Sequence, residues 1–127
     1  MEGSKDQDPL TDSIIGAAIA VHRVLGPGLL ESAYRRCLAY ELEQRGMQSR
    51  QEVEVELRYR LLRVPGAYRL DLLVEERVVV ELKCLAKVED VHIAQVATYL
   101  RLSGCGTGLL INFRERKLVD GVRRVVV

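Results

Sequence analysis

The feature that most limits the fold is a short apolar segment, Val78-Val79-Val80, which leads into Glu81-Leu82-Lys83. Three β-branched residues in a row predict a strand that is buried on both faces. A sheet containing such a strand has helices packed on it, because helices supply the apolar cover that the strand needs. The sequence therefore predicts an α/β fold.

Helical periodicity occurs in two segments before this strand and in one after it. Gly26-Pro27-Gly28 separates the first two helices, since glycine permits a left-handed turn and proline lacks an N–H donor. The first helix is predicted to start near Thr11 or Asp12, either of which can cap it. The second is predicted to start at about residue 30, and the third near residue 91 after a cap at Glu89 or Asp90.

Strand patterns occupy residues 53–57, with 58–64 as an extension or a further strand, then 68–75, 78–83, 108–113 and 119–127. Pro65-Gly66 is a turn signal. Alternation in residues 68–75 predicts that Leu70 and Leu72 share one face and that Asp71 lies on the other. The predicted element order is α-α-β-β-β-α-β-β.

Length and cysteine content limit the kind of protein further. The 127 residues suffice for one domain, predicted over residues 11–127 after a flexible leader at 1–10. The sequence contains no run of about 18 apolar residues, so no transmembrane helix is expected. Three cysteines without a Cys-x-x-Cys pair argue against a disulfide framework and indicate a reducing, cytoplasmic location.

The charge is balanced overall but unevenly distributed. The formal net charge is +1, composed of −4 over residues 1–56 and +5 over residues 57–127. This excludes a histone-like polycation. A polyanionic partner is expected to meet the second half of the chain.

Three ionisable residues interrupt the two most apolar strands. Glu81 and Lys83 are two residues apart and therefore project from the same strand face. If residues 68–75 and 78–83 form a hairpin, Asp71 can face Glu81, and the two carboxylates repel each other unless a cation lies between them. Mg²⁺ suits such oxygen ligands, with Mn²⁺ as the alternative. The other interpretation is a plain salt bridge within the sheet.

Polar residues near the two other helices add to this cluster. His92, Gln95 and Tyr99 have the spacing of one helical face, distinct from the apolar stripe of that helix, and are expected to overlook the Glu-x-Lys strand. The alternative is a solvated helix edge with Tyr99 as core filler. Glu31 lies in the first turn of the second helix. It is either a further metal or water ligand or a carboxylate that is favourable there because of the helix dipole. A lone His22 is more typical of a packed residue.

These residues, in their order, resemble the PD-(D/E)xK nuclease superfamily. Asp71 followed by Glu81-Leu82-Lys83 is similar to its D…(D/E)-x-K signature, and Gln95-x-x-x-Tyr99 is similar to the QxxxY motif of some branches. Gly28-x-x-Glu31-x-x-Tyr34 matches the motif of the GxxExxY family within it. The sequence departs from the wider pattern where Arg69-Leu70 stands before Asp71, a position at which many members have proline.

The resemblance implies a restriction-endonuclease-like core, a mixed β-sheet flanked by helices, and metal-dependent hydrolysis of DNA phosphodiesters, with RNA as the alternative substrate. It implies that Asp71 and Glu81 hold the metal, with the Leu82 carbonyl and Glu31 as further ligands. Lys83 would position the attacking water, and Gln95, Tyr99 and Glu31 would complete the catalytic set.

Nucleic-acid contacts are expected from basic and aromatic residues of the same half and from the second helix: Arg58, Arg60, Arg69, Tyr34 and His92. Arg58 and Arg60 are predicted to share one strand face. A chain with one site would cut both strands of a duplex as a homodimer. The alternative function is a catalytically silent nucleic-acid-binding, regulatory or assembly module of the same fold.

Overall fold

The computed structural model describes residues 8–127, so residues 1–7 of the expected leader lie outside the described residues. The elements follow in the predicted order, with a short 3-10 helix before the last strand. They are α1 (Pro9–Leu25), α2 (Glu31–Gln44), β1 (Ser49–Tyr59), β2 (Leu62–Val74), β3 (Val78–Lys83), α3 (Asp90–Ser103), β4 (Thr107–Asn112), the 3-10 helix (Leu118–Gly121) and β5 (Val122–Val126). The α/β fold class is confirmed.

The five strands form one mixed sheet in the order β1-β2-β3-β4-β5. Neighbouring strands are antiparallel except β3 and β4, which are parallel. Parallel strands need a long crossover connection, and α3 supplies it. The central strands β3 and β4 are buried along almost their whole length, which confirms the prediction from Val78-Val79-Val80.

Each face of the sheet carries its own apolar core. The face covered by α1 and α2 buries residues of both helices against β2, β3 and β4: Ile14, Ala18, Leu38, Leu42, Leu72, Val80, Leu109 and Ile111. The face covered by α3 buries Leu70, Leu73, Val79, Val96, Tyr99, Leu100, Leu110 and Val125. Each fully buried leucine contributes roughly 1.5–3 kcal/mol to folding.

The packing of α3 on β4 is close because Gly108 has no side chain. A Cβ built at Gly108 would lie 2.9 Å from Val96 Cγ1 and 3.2 Å from Leu100 Cδ2. A larger residue would therefore push α3 away from the sheet.

Two of the three helix starts match the predictions. Glu89 caps α3 in a capping box with His92, as expected, and α2 begins at Glu31, one residue after the expected start. The predicted cap of α1 was wrong: Asp8 caps it, accepting from Leu10 N at 3.0 Å, and Pro9 takes the first position because it has no N–H to satisfy. Within residues 8–127, no helix is both long and apolar enough to cross a membrane.

The β1–β2 hairpin differs from its prediction in the position of its turn and in the role of Pro65-Gly66. Its turn is at Arg60-Leu61, between the paired residues Tyr59 and Leu62, and not at Pro65-Gly66. Residues 65–67 instead form a bulge opposite a single β1 residue, with Gly66 at φ +66°.

Leu70 and Leu72 do not share a face, contrary to strict alternation. Leu70 packs in the core under α3 and Leu72 in the core under α1 and α2. The alternation breaks at Asp71, opposite Glu52, whose φ of +53° is left-handed. The last predicted strand is also shorter than expected, since residues 118–121 form the 3-10 helix.

Candidate functional site

The site forms where strands β2 and β3 separate. Their backbone pairing ends at Leu72 opposite Val80, and in the same register the next pair is Asp71 and Glu81. Beyond this pair a side chain replaces the backbone as the hydrogen-bond acceptor. Asp71 Oδ2 accepts a hydrogen bond from the Leu82 N–H at 2.8 Å. The hairpin expected from the sequence therefore places the two carboxyl groups side by side.

Glu81 is buried without full hydrogen bonding. It is 5% exposed, its Oε1 accepts no hydrogen bond, and its Oε2 lies 3.8 Å from Lys83 Nζ. Burial and then the charge of Asp71 raise the pKa of Glu81 to about 8. Burial also raises the pKa of Asp71, against the lowering effect of the Leu82 hydrogen bond. A buried carboxylate oxygen with no donor is costly for the fold and suited to a cation.

Lys83 ends β3 and is fixed through its backbone. Its carbonyl accepts from Phe113 N at 2.8 Å, while its side chain is 16% exposed. Just beyond it, the fully buried Asn112 bonds to both backbone groups of Leu85, each at 2.9 Å. These bonds hold the chain after β3 against β4. The Lys83 backbone is therefore fixed, and its side chain extends from it to within 3.8 Å of Glu81.

Glu31 reaches this end of β3 from the first turn of α2. Its Oε2 accepts from Cys84 N at 3.3 Å, and its charge raises the pKa values of Asp71 and Glu81. The three sequence-predicted carboxylates therefore lie on three different elements, within range of one another's charge. His22 is buried and bonds to the Glu115 carbonyl at 2.7 Å, which fits a packed residue.

Tyr34 fixes the loop that delivers Glu31. It is fully buried, stacks on Phe113 with ring centroids 4.4 Å apart, donates its hydroxyl hydrogen to the Gly26 carbonyl and accepts from Leu29 N at 3.0 Å. The expected contact of Tyr34 with nucleic acid does not fit this placement, because no part of the side chain is exposed. The tyrosine of the Gly-x-x-Glu-x-x-Tyr motif thus positions the loop and the start of α2.

The third helix brings two of its three expected residues to the cluster. Gln95 hydrogen-bonds to Tyr99, and the pKa of Tyr99 is raised to about 12 by burial, then by the charges of Glu81 and Asp71. Tyr99 also belongs to the apolar core, where its ring lies 5.8 Å from Tyr68, so it is not on a separate polar face as expected. His92 is engaged at the helix start, where its Nδ1 accepts from Glu89 N at 2.9 Å.

Sequence reasoning missed Arg35, which also faces the cluster. Its Nε donates to Gln51 Oε1 at 3.0 Å, its Nη1 lies 3.5 Å from Glu52 Oε2, and its charge lowers the pKa of Asp71. Only 18% of its side chain is exposed. The signal that could have identified it is its position four residues after Glu31, on the same helical face.

The basic residues expected to contact nucleic acid lie along the β1–β2 hairpin and are exposed. Arg69 is near the site, 3.7 Å from Glu52 Oε1. Arg58 lies on β1, 3.8 Å from Glu56, whereas Arg60 lies in the turn with its guanidinium 5.5 Å from the Tyr59 ring centroid. The expectation that Arg58 and Arg60 share a strand face was wrong, because the strand ends at Tyr59.

The donor set fits a hard divalent cation that keeps several of its waters. Among residues 8–127 no three His, Cys, Asp or Glu side chains are close enough to form a complete protein cage. Asp71 and Glu81 instead offer one half-buried and one buried carboxyl group, and Oε1 of Glu81 has no donor. One or two carboxylates plus water and substrate oxygens are what Mg²⁺ commonly takes, whereas a structural zinc site needs four protein ligands.

Comparison with known proteins gives a family match over nearly the whole chain. A family model described as the PD-(D/E)XK nuclease superfamily matches residues 8–125, which include Asp71, Glu81 and Lys83. No curated protein and no solved structure matches the chain.

Proposed function

Because the chain belongs to the PD-(D/E)XK nuclease superfamily, we propose that it is a metal-dependent deoxyribonuclease with Asp71, Glu81 and Lys83 at its centre. The observation that carries the proposal is the Glu81 carboxyl group, buried beside Asp71 with an oxygen that has no hydrogen-bond donor. A carboxylate pair of this kind destabilises the apo fold, and a bound cation relieves that cost.

Asp71 and Glu81 would hold the ion, with the Leu82 carbonyl and Glu31 as the further ligands that the family resemblance implies. A divalent ion bound there supplies Lewis-acid stabilisation of the phosphate charge and lowers the pKa of a bound water. Mg²⁺ is the proposed ion, and Mn²⁺ is expected to replace it because both accept oxygen ligands.

The chain's own groups orient the reaction. Lys83, held at the end of β3, offers an ammonium group that meets the phosphate charge and orients the attacking water. Tyr99 keeps its proton at neutral pH, because its pKa is about 12, and so acts as a hydrogen-bond donor. Gln95, bonded to Tyr99, fixes the direction of that hydroxyl. Glu31 adds negative charge to the metal side of the site.

One observation favours the alternative of a silent nucleic-acid-binding or regulatory module. Lys83 Nζ lies 3.8 Å from Glu81 Oε2, as in a plain buried salt bridge. The two functions differ in turnover, since a silent module binds nucleic acid and leaves it intact.

A cleavage assay with matched variants separates them. Duplex DNA, single-stranded DNA and RNA are incubated with Mg²⁺ or Mn²⁺ and wild type, Asp71→Asn, Lys83→Met or the exposed control Glu43→Gln. We expect Mg²⁺-dependent DNA cleavage that falls by about 10²–10⁴-fold in the first two variants and is unchanged in the control. Equal cleavage by wild type and Asp71→Asn would exclude this site, and binding without cleavage on every substrate would establish the silent module.

Finer assignments remain predictions. Membership of the GxxExxY family rests on Gly28, Glu31 and Tyr34, of which Tyr34 has a clear positioning role. A single domain over residues 11–127, a cytoplasmic location, RNA as an alternative substrate, contact of His92 with nucleic acid and a homodimer that cuts both strands are likewise expected from the sequence alone.

A further inference from the structure

The β1–β2 hairpin extends beyond the area of the sheet that the helices cover. Its inner residues Val53 and Val55 still pack on the core under α3. The outer pair Leu57 and Val64 is half-buried, and beyond it residues 58–63 are exposed, with Tyr59 63% and Leu61 99% exposed. An isolated two-stranded ribbon gains little stability from such residues, so stability does not explain its length.

Charge is segregated along this ribbon. The inner segment of β1 carries Glu52, Glu54 and Glu56, whereas residues 57–64 contain three arginines and no acidic residue. Glu56 is the carboxylate next to them, 3.0 Å from Arg63 and 3.8 Å from Arg58. One carboxylate cannot neutralise three guanidinium groups, so the tip presents a net positive charge.

The ribbon also connects the tip directly to the candidate catalytic centre. Asp71 and Leu62 are nine residues apart in the same strand β2. At about 3.3 Å per residue, the tip lies up to about 30 Å from Asp71, somewhat less because of the bulge at Gly66. One turn of B-form DNA is about 34 Å long, or roughly 10 base pairs.

From this geometry we infer that the β1–β2 hairpin is a duplex-binding ribbon, which lies in the major groove of B-form DNA and contacts phosphates about one helical turn from the cleaved bond. The inference rests on the proposed function and names its substrate as double-stranded DNA. The major groove of B-form DNA admits a two-stranded ribbon, whereas that of A-form RNA is too narrow. Arg58 and Arg60 contact the phosphates.

A second copy of the chain is the competing occupant, because Leu61 and Leu62 are apolar and exposed. The charge argues against it. Two ribbons meeting tip to tip would bring like charges together, whereas a polyanion matches them.

Binding rather than cleavage tests the inference. Affinity is measured by fluorescence anisotropy in Ca²⁺, or with Asp71→Asn in every protein if cleavage interferes, on 30-base-pair and 8-base-pair duplexes and a 30-base-pair RNA duplex. The test variant is Arg58→Ala/Arg60→Ala. Its control is Arg77→Ala/Arg101→Ala, which removes two exposed arginines at the opposite end of the sheet from Lys83. Sedimentation gives the oligomeric state of each.

We expect the test variant to bind the 30-base-pair DNA about tenfold or more weakly, with the slope of log K against log salt reduced by about 1.8. The control keeps the wild-type slope, the 8-base-pair DNA shows little effect, and duplex RNA binds more weakly than DNA. Equal loss on long and short DNA, or a wild-type slope in the test variant, overturns the ribbon. A change in sedimentation with unchanged DNA binding instead identifies a second copy as the occupant. Because no cleavage is needed, failure of the proposed catalytic function leaves this result interpretable.

Discussion

At the scale of single residues, the chemistry is concentrated in Glu81. Its neighbours Val80 and Leu82 belong to the core under α1 and α2, so alternation directs Glu81 to the other face of the sheet, where it is also buried. Most buried charges are paired or hydrogen-bonded, whereas Glu81 has the Asp71 backbone and Lys83, at 3.8 Å, as partners and one oxygen, Oε1, with no donor. The same burial that makes the residue costly for the apo fold makes it a strong ligand once deprotonated.

The raised pKa of Glu81 predicts how stability depends on pH. Between its ordinary pKa of 4.5 and the folded value of about 8, the folded state binds the proton more tightly, so stability falls as pH rises through this window and levels off above it. Glu81→Gln removes this loss. Urea unfolding in metal-free buffer with a chelator measures the free energy of unfolding of both proteins. Between pH 5 and pH 8.5, the value for Glu81→Gln relative to wild type should rise by a few kcal/mol, in order of magnitude.

The control for that measurement is Glu43→Gln, an exposed substitution on α2, which should follow the wild-type curve. A constant difference between Glu81→Gln and wild type across the range would contradict the buried, protonated carboxyl group.

Arg35 yields a second prediction at this scale. Since its charge lowers the pKa of Asp71, Arg35→Gln should raise that pKa and move the pH midpoint of Mn²⁺ binding upward. Arg36→Gln, on the exposed side of the same helix, is the matched control. Calorimetric titrations from pH 5.5 to 8.5 measure the midpoints, and identical midpoints for the two variants would remove Arg35 from the site.

At the scale of elements, the site depends on where each strand and helix ends. Asp71 and Glu81 meet because β2 and β3 separate immediately beyond the Leu72–Val80 pair, and Glu31 arrives because α2 begins at the same end of β3. Asn112 fixes the chain that follows β3, and Tyr34 fixes the loop that precedes α2. These two residues hold backbone groups in place, and the geometry of the site depends on them.

Tyr34→Phe tests this positioning role. Loss of the hydroxyl leaves the Gly26 carbonyl and the Leu29 amide without their partner, so unfolding should require about 1–2 kcal/mol less, with the ring stack on Phe113 retained. Tyr40→Phe, at a position 63% exposed on the same helix, should change stability by less than about 0.5 kcal/mol. Equal effects in urea unfolding would show that the Tyr34 hydroxyl does not anchor the loop.

Sequence patterns predicted the elements more reliably than the irregularities between them. Val78-Val79-Val80 indicated the buried strand, and the Asp71 and Glu81 spacing indicated the facing carboxylates, because local periodicity determines both. The turn at Arg60-Leu61 was missed, since neither residue favours a turn, and Gly66 serves a bulge that only the β1 register reveals.

Within the candidate site, the contacts of Arg35 and the burial of Tyr34 could not be predicted from a single sequence, although the spacing of Arg35 from Glu31 indicates a shared helical face. Both depend on how α2 packs against strands far away in the chain. Arg35 meets Gln51 and Glu52 of β1, and Tyr34 meets Phe113 beyond β4.

At the scale of the whole molecule, stability and contact surface are separated. The centre of the sheet, β3 and β4, is buried between two helix layers, while the hairpin tip extends away from both cores. Part of the basic excess in the second half of the sequence lies at this tip, because the arginines of residues 57–64 form it. The near-neutral total charge therefore reflects opposite local charges.

Hydrogen exchange tests this separation. Amides of residues 78–83 and 107–112 should exchange only through global unfolding, whereas amides of residues 57–67 should exchange orders of magnitude faster despite their strand pairing. Duplex DNA should slow exchange in residues 57–67 selectively. Comparable protection of the two regions in the free protein would mean that the ribbon belongs to the stable core.

The proposed function depends above all on whether the Asp71 and Glu81 carboxyl groups hold a divalent cation, and a calorimetric Mn²⁺ titration at pH 8.5 measures this directly. We expect one Mn²⁺ per chain for wild type, Lys83→Met and the control Glu43→Gln. For Glu81→Gln we expect affinity weakened by roughly tenfold or more, since loss of a ligand should cost at least as much as loss of an outer partner. Wild-type affinity in Glu81→Gln, or no Mn²⁺ binding by the wild-type protein, would contradict a metal site at Asp71 and Glu81.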